Sequence, residues 1–148
     1  MKLLNQAREA INKLETTPSY LFVYGTLRSN FDIQAKKDIS DCLELIGNAE
    51  ISGKLYDMGG YPAALPVGDD EKSHIRGEVF KINDSEKVFA ALDVYEGSCY
   101  KRQQVNVHLP DGQNVDAWIY WYIASVDGKP RIKYKDYVEY LKNKNSFY

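Results

Sequence analysis

Apolar residues recur along this chain in two periods. Leu3, Leu4, Ala7, Ile11 and Leu14 stand at helical spacing, so residues 2–15 are expected to form an amphipathic helix, stopped by Thr16-Thr17-Pro18. The next apolar run, YLFVY over residues 20–24, is rich in β-favouring side chains and predicts a first strand. Asn30 to Ser40 is polar, expected as a short helix or a loop. Leu43, Leu45, Ala49, Ile51 and Leu55 then predict strands bent or interrupted at Gly47 and Gly53, and Gly59-Gly60 with Pro62 predicts a loop after them. Residues 67–74 read as a solvated connection, and residues 75–82 alternate as a strand.

The second half continues the mixture. Asn83-Asp84-Ser85-Glu86 is a helix start, with Asn83 and Glu86 at capping-box spacing. Val88, Phe89, Leu92 and Tyr95 mark the buried face of that helix, and Gly97 supplies its stop. Two alternating runs flank the turn PDGQ, a strong hairpin signal. KYKDYVEYL, residues 134–142, predicts a closing helix. There is no repeat, low-complexity tract or linker. Antiparallel hairpins with few helices favour an α+β domain built on a curved antiparallel sheet or small barrel.

Composition narrows the function classes. At 148 residues the chain suits one compact domain. A domain of that size buries roughly 70% of its unfolded surface, so it needs neither disulfide nor metal to hold together. Nineteen basic and 21 acidic residues give a net charge of −2, which lacks the basic excess of a nucleic-acid binder. No apolar run approaches the ~20 residues of a membrane span. The N-terminus has no secretory h-region, and Cys42 and Cys99 form no CxxC pattern; together these suggest reduced thiols and a cytoplasmic protein. Twelve tyrosines suit a core or cleft with polar corners, where the hydroxyls find partners.

Three stretches carry candidate chemistry. The first strand ends on Tyr24-Gly25-Thr26-Leu27-Arg28. Gly25 can adopt backbone angles closed to other residues, and such a turn can aim successive N–H groups inward as an anion cradle, with the Thr26 hydroxyl at its rim. The plainer reading is a tight turn with Arg28 in water. Next, LDVYEGSCYKR places Asp93 and Glu96 in the last turn of a helix, where the dipole disfavours acids, and that environment would raise the pKa of Glu96. That suits a general base, although solvated helix-end carboxylates paired with Lys101 or Arg102 would look the same. Third, Tyr61-Pro62 is a rigid apolar corner, equally fit for a pocket wall or an ordinary loop. Neither His74 nor His108 shows metal-ligand spacing, and no P-loop, dinucleotide fingerprint or serine elbow is present. Cys99 has Lys101 and Arg102 nearby but no evident base; Cys42 reads as a small core residue.

YGTLR, then GKLY (53–56), YPA, GEVF (77–80), LDVYEG and YKR (100–102) occur in this order, and as a set they resemble the γ-glutamylcyclotransferase-like family, which includes γ-glutamylamine cyclotransferase and the AIG2-like proteins. The resemblance covers residues 20–123, leaving 1–17 as a helical extension and 134–148 as a C-terminal helix and tail of a single domain. It implies a small, mainly antiparallel mixed β-barrel with peripheral helices. It also implies that Tyr24, Gly25, Thr26 and Leu27 hold a glutamyl head group and that Glu96 is the catalytic acid/base. Arg28, Tyr61, Tyr100 and Tyr122 are candidate pocket residues, with Trp118 and Tyr120 as further wall candidates. The implied reaction is cyclisation of a γ-glutamyl amine, dipeptide or isopeptide to 5-oxoproline, without metal or cofactor. The alternative is a binding or regulatory module with the same fold and no catalysis. The sequence does not set the oligomeric state.

Overall fold

The computed structural model describes residues 19–25, 27, 28 and 34–145. In order, the elements are β1 (Ser19–Val23), α1 (Gln34–Ile39), β2 (Leu43–Ser52), β3 (Lys54–Asp57), β4 (Pro62–Leu65), β5 (His74–Ile82), α2 (Ser85–Glu96), β6 (Tyr100–His108), β7 (Asn114–Tyr122), β8 (Arg131–Ile132) and α3 (Tyr137–Asn145). The helix expected over residues 2–15 lies outside the described residues, as does the tail beyond residue 145.

Strands β1, β5, β2, β6 and β7 close into a barrel, and β3 joins β4 and β8 in a separate three-stranded sheet. Barrel neighbours run antiparallel except β1 and β7, which meet in parallel at Leu21 and Trp118 and make the barrel mixed. This is the α+β barrel with peripheral helices that element order and resemblance both predicted.

Both faces of β1, and much of β5 and β7, are apolar because each face has a cover, whereas β2 and β6 keep a polar, exposed face. Phe22 and Tyr24 from β1 and the residue after it join Ala49, Ile51, Ile75, Val79, Ile119 and Trp121 in one cluster, which also takes Leu55, Ala64, Ile132 and Tyr137 from the small sheet and α3. The alternate positions Leu21, Val23, Phe80, Ile82 and Tyr120 pack with Ile39, Val88, Phe89 and Leu92 beneath α1 and α2. A strand covered on both faces reads as a continuous apolar run, which is what residues 20–24 show.

Several boundaries depart from expectation for local reasons. The segment after Gly59-Gly60 is not a loop: Pro62–Leu65 pairs with β3 as an edge strand, where proline's missing N–H does no harm at the first position. Helix α2 is capped by Asp84, not Asn83; the Asp84 side chain accepts from Lys87 N at 3.2 Å. The last helix starts at Tyr137, because Asp136 caps it by accepting from Val138 N at 2.9 Å. The predicted breaks hold: the β2–β5 register shifts between Leu45 and Gly47, and Gly53 separates β2 from β3. Among the described residues no helix is long and apolar enough to cross a membrane.

Candidate functional site

The first wall of the site is the turn that leaves β1. Arg28 N donates to Gly25 O at 3.0 Å, which closes the turn, and Lys36 Nζ donates to Arg28 O at 2.9 Å. Gly25 is required by crowding rather than by its backbone angle: its φ is not positive, but a Cβ there would stand 2.7 Å from Cγ of Pro62. Tyr24 is buried, and its hydroxyl donates to the carbonyl of Tyr120 at 2.6 Å, which ties the turn to β7. Burial pushes the Tyr24 phenol up, and the charge of Glu96 adds to the shift. Thr26 lies outside the described residues.

The second wall is the turn between β3 and β4. Met58 N donates to Tyr61 O at 3.0 Å, and Gly59 N donates to Asp57 Oδ1 at 2.9 Å. The hydroxyl of Tyr100 donates to Pro62 O at 3.1 Å, which anchors this wall to β6. Tyr61 sits at the rim, 44% exposed.

Glu96 is the last residue of α2, followed by Gly97 at φ +79°, a conformation that suits glycine. Its neighbour one turn back, Asp93, is held by Arg102, whose Nε and Nη2 donate to the two carboxylate oxygens at 3.2 Å each. Asp93 also accepts from the Tyr120 hydroxyl at 2.6 Å. Arg102 in turn lies 4.0 Å above the Phe89 ring and 5.1 Å from that of Trp118. The two acids at the helix end therefore differ: Asp93 is compensated, whereas Glu96 has no hydrogen-bond or ion-pair partner among the described residues. Burial alone raises the Glu96 carboxyl to about 7.

Glu96 and both turns line one cavity of about 490 Å³. Of the residues expected at the site, Tyr24, Gly25, Leu27, Tyr61, Glu96 and Tyr100 line it, as does Tyr120. Three of the candidates stand apart from these lining residues. Arg28 does not line the cavity; it is 6% exposed, with Nη1 donating to Asp136 Oδ1 at 2.7 Å and Nε 3.9 Å from Glu78. Tyr122 is not among the lining residues; its ring packs edge-on against Tyr100 with centroids 5.2 Å apart. Trp118 belongs to the neighbouring cleft with Arg102.

Pro62 lines the cavity beside Tyr61, whereas sequence reading missed Tyr95, Ser98 and Cys99 as lining residues. Tyr95 was assigned to the buried helix face by its spacing from Leu92, yet it is 41% exposed on the cavity wall. Its position next to Glu96 was the only signal. Among the described residues no group of three His, Cys, Asp or Glu could hold a metal ion.

A family profile described as "Gamma-glutamyl cyclotransferase, AIG2-like" matches residues 21–139. The chain belongs to this γ-glutamylcyclotransferase, AIG2-like family. One family relative, named "Putative gamma-glutamylcyclotransferase", comes from Methanocaldococcus jannaschii; it is 36% identical over 110 residues, which cover 72% of this chain and 86% of the relative. Among solved structures, YkqA from Bacillus subtilis superposes with a TM-score of 0.69 at 26% identity over 88% of this chain, which spans only 43% of YkqA. An AIG2-like protein from Mus musculus shares the fold, with a TM-score of 0.67 at 22% identity over 81% of this chain and 88% of that one.

Proposed function

We propose that the chain is a γ-glutamylcyclotransferase that converts a γ-glutamyl amine, dipeptide or isopeptide into 5-oxoproline and a free amine. The observation that carries this reading is Glu96: a carboxyl held near pKa 7, unpaired among the described residues, on the wall of a cavity that also contains the Tyr24–Leu27 turn. Membership of the family and the name of the archaeal relative support the same reaction class.

The reaction needs little machinery because the substrate contains its own nucleophile. The turn would hold the α-carboxylate through its backbone N–H groups and bend the chain so that the α-amino nitrogen approaches the γ-carbonyl carbon. Well-placed intramolecular attack of this kind reaches effective molarities of about 10⁵ M or more. Glu96 accepts a proton from the α-ammonium, and the amine attacks. A five-membered ring forms through a tetrahedral oxyanion, and a backbone N–H steadies the charge. The carboxyl then returns its proton to the leaving nitrogen as the amide C–N bond breaks, takes the second proton from the ring nitrogen, and passes it to the departing amine, which leaves as an ammonium ion. No water is consumed. A carboxyl with pKa about 7 is matched to both tasks at neutral pH.

The rings of Tyr61, Tyr95 and Tyr100 supply apolar wall on the same cavity and are the surface on which leaving groups would be sorted. The test is release of 5-oxoproline from γ-glutamyl amines, γ-glutamyl dipeptides and γ-glutamyl-ε-lysine. Release from any of them supports the reading, and the best substrate names the leaving group. Silence across the panel from a folded protein that still binds γ-glutamyl compounds would return the pocket to a binding role.

A further inference from the structure

The two turns that wall the cavity touch each other on one side and share a support on the other. On the inner side Gly25 lies against Pro62, so close that no Cβ fits. On the outer side both are tied to α3. At the start of that helix, Asp136 caps the backbone of Val138 and Glu139 and at the same time accepts from Arg28 Nη1 at 2.7 Å, fixing the end of the first turn. Along the helix, Tyr140 Oη donates to Asp57 Oδ2 at 2.6 Å and Lys144 Nζ donates to the same oxygen at 3.0 Å. Asp57 is 6% exposed, and its other oxygen accepts from Gly59 N at the head of the second turn. The helix itself is seated by Tyr137, Tyr140 and Leu141 on the apolar cluster.

We propose that α3 is a brace that sets the spacing of the two cavity walls, with Asp136, Tyr140 and Lys144 as positioning residues for substrate binding. None of the three lines the cavity. Asp136 acts through Arg28, and Tyr140 and Lys144 act through Asp57. The carboxylates fit this use. Asp57 and Asp136 are both held below the ordinary carboxylate range despite their burial, because hydrogen bonds from Tyr140 and Lys144 to the one, and from Arg28 to the other, outweigh desolvation. Each is thus a charged, oriented acceptor rather than a hydroxyl donor. Glu96 stands on α2, outside this circuit, so the brace governs binding more than the proton transfers.

The kinetic part of this inference rests on the proposed cyclotransferase reading; the structural part does not. The test pairs two readouts on Tyr140→Phe and Lys144→Met, with Leu141→Ala as a control that weakens the seat of the same helix without touching either turn. Asp136→Asn is the harsher variant, since it strips a partner from a buried guanidinium. The first readout is amide hydrogen exchange over residues 57–62. Faster exchange there in Tyr140→Phe, and slower recovery of protection than in Leu141→Ala at equal global stability, is expected. The second is 5-oxoproline release, where KM should rise about tenfold with kcat within about twofold, as expected when a binding wall shifts and the reacting groups do not. Unchanged exchange in residues 57–62 would overturn the brace. Looser exchange with unchanged KM would overturn its role in binding. If the wild type releases no 5-oxoproline, the cyclotransferase reading fails by itself, and the exchange data still decide the brace.

Discussion

A Cβ built on Gly25 would stand 2.7 Å from Cγ of Pro62, the point where the two walls of the cavity meet. Real side chains do not approach that closely. Pro62 has little room to yield, because its ring is rigid and its carbonyl is held by the Tyr100 hydroxyl. Gly25→Ala should therefore push the walls apart. The expected outcome is a loss of stability of about 1–3 kcal/mol, typical of overpacking, and a fall in kcat/KM of about tenfold or more. Denaturant melts and steady-state kinetics check both; a variant as active as the wild type would show that the contact does not shape the site.

Glu96 makes stability depend on pH in a direction opposite to most carboxylates. Its folded pKa, about 7, lies above the ordinary value of 4.5. Below pH 4.5 the group is protonated in both states and nothing is lost. Between pH 4.5 and 7 the unfolded state ionises in water while the folded state keeps its proton, so stability falls across that window and levels off above it. Glu96→Gln removes this dependence, so it should match the wild type in stability near pH 4 and exceed it near pH 8 by on the order of 3 kcal/mol. Urea melts at the two pH values measure the difference.

Arg28 is predicted to matter through folding before it matters through binding. Its guanidinium is buried between Asp136 and Glu78. Arg28→Met would take the guanidinium away from two carboxylates that are themselves largely buried. Loss of one partner from a buried ionic group costs about 3–5 kcal/mol, and the melting temperature should drop accordingly. An Arg28→Met variant with an unchanged melt would contradict the buried arrangement.

What could be read from the sequence was what neighbouring residues decide. The glycine turn after an apolar run, the acid at a helix end before Gly97, and the hairpin around PDGQ are local patterns, and each appears where expected. Contacts between distant residues left no such mark. Arg28 looked solvated because Asp136 is 108 positions away, and the Tyr140–Asp57 bond spans 83. Pro62–Leu65 looked like a loop because proline and two glycines outweigh four residues of strand, and only pairing with β3 makes it one. Tyr95 kept helical spacing with the core yet lies on the cavity wall, since α2 ends there and its last turn overhangs the cavity. That Glu96 and the turn line one cavity agrees with the sequence reading; the support beneath them left no mark in it.

In the proposed reaction Glu96 moves the protons of the cyclisation. The most direct measurement is kcat for 5-oxoproline release by the wild type and by Glu96→Gln on the best γ-glutamyl substrate, with calorimetry for binding of the same compound. Removal of a general base lowers kcat by about 10²–10⁴-fold, and the isosteric amide should leave affinity nearly unchanged. Full turnover by Glu96→Gln would contradict the assignment.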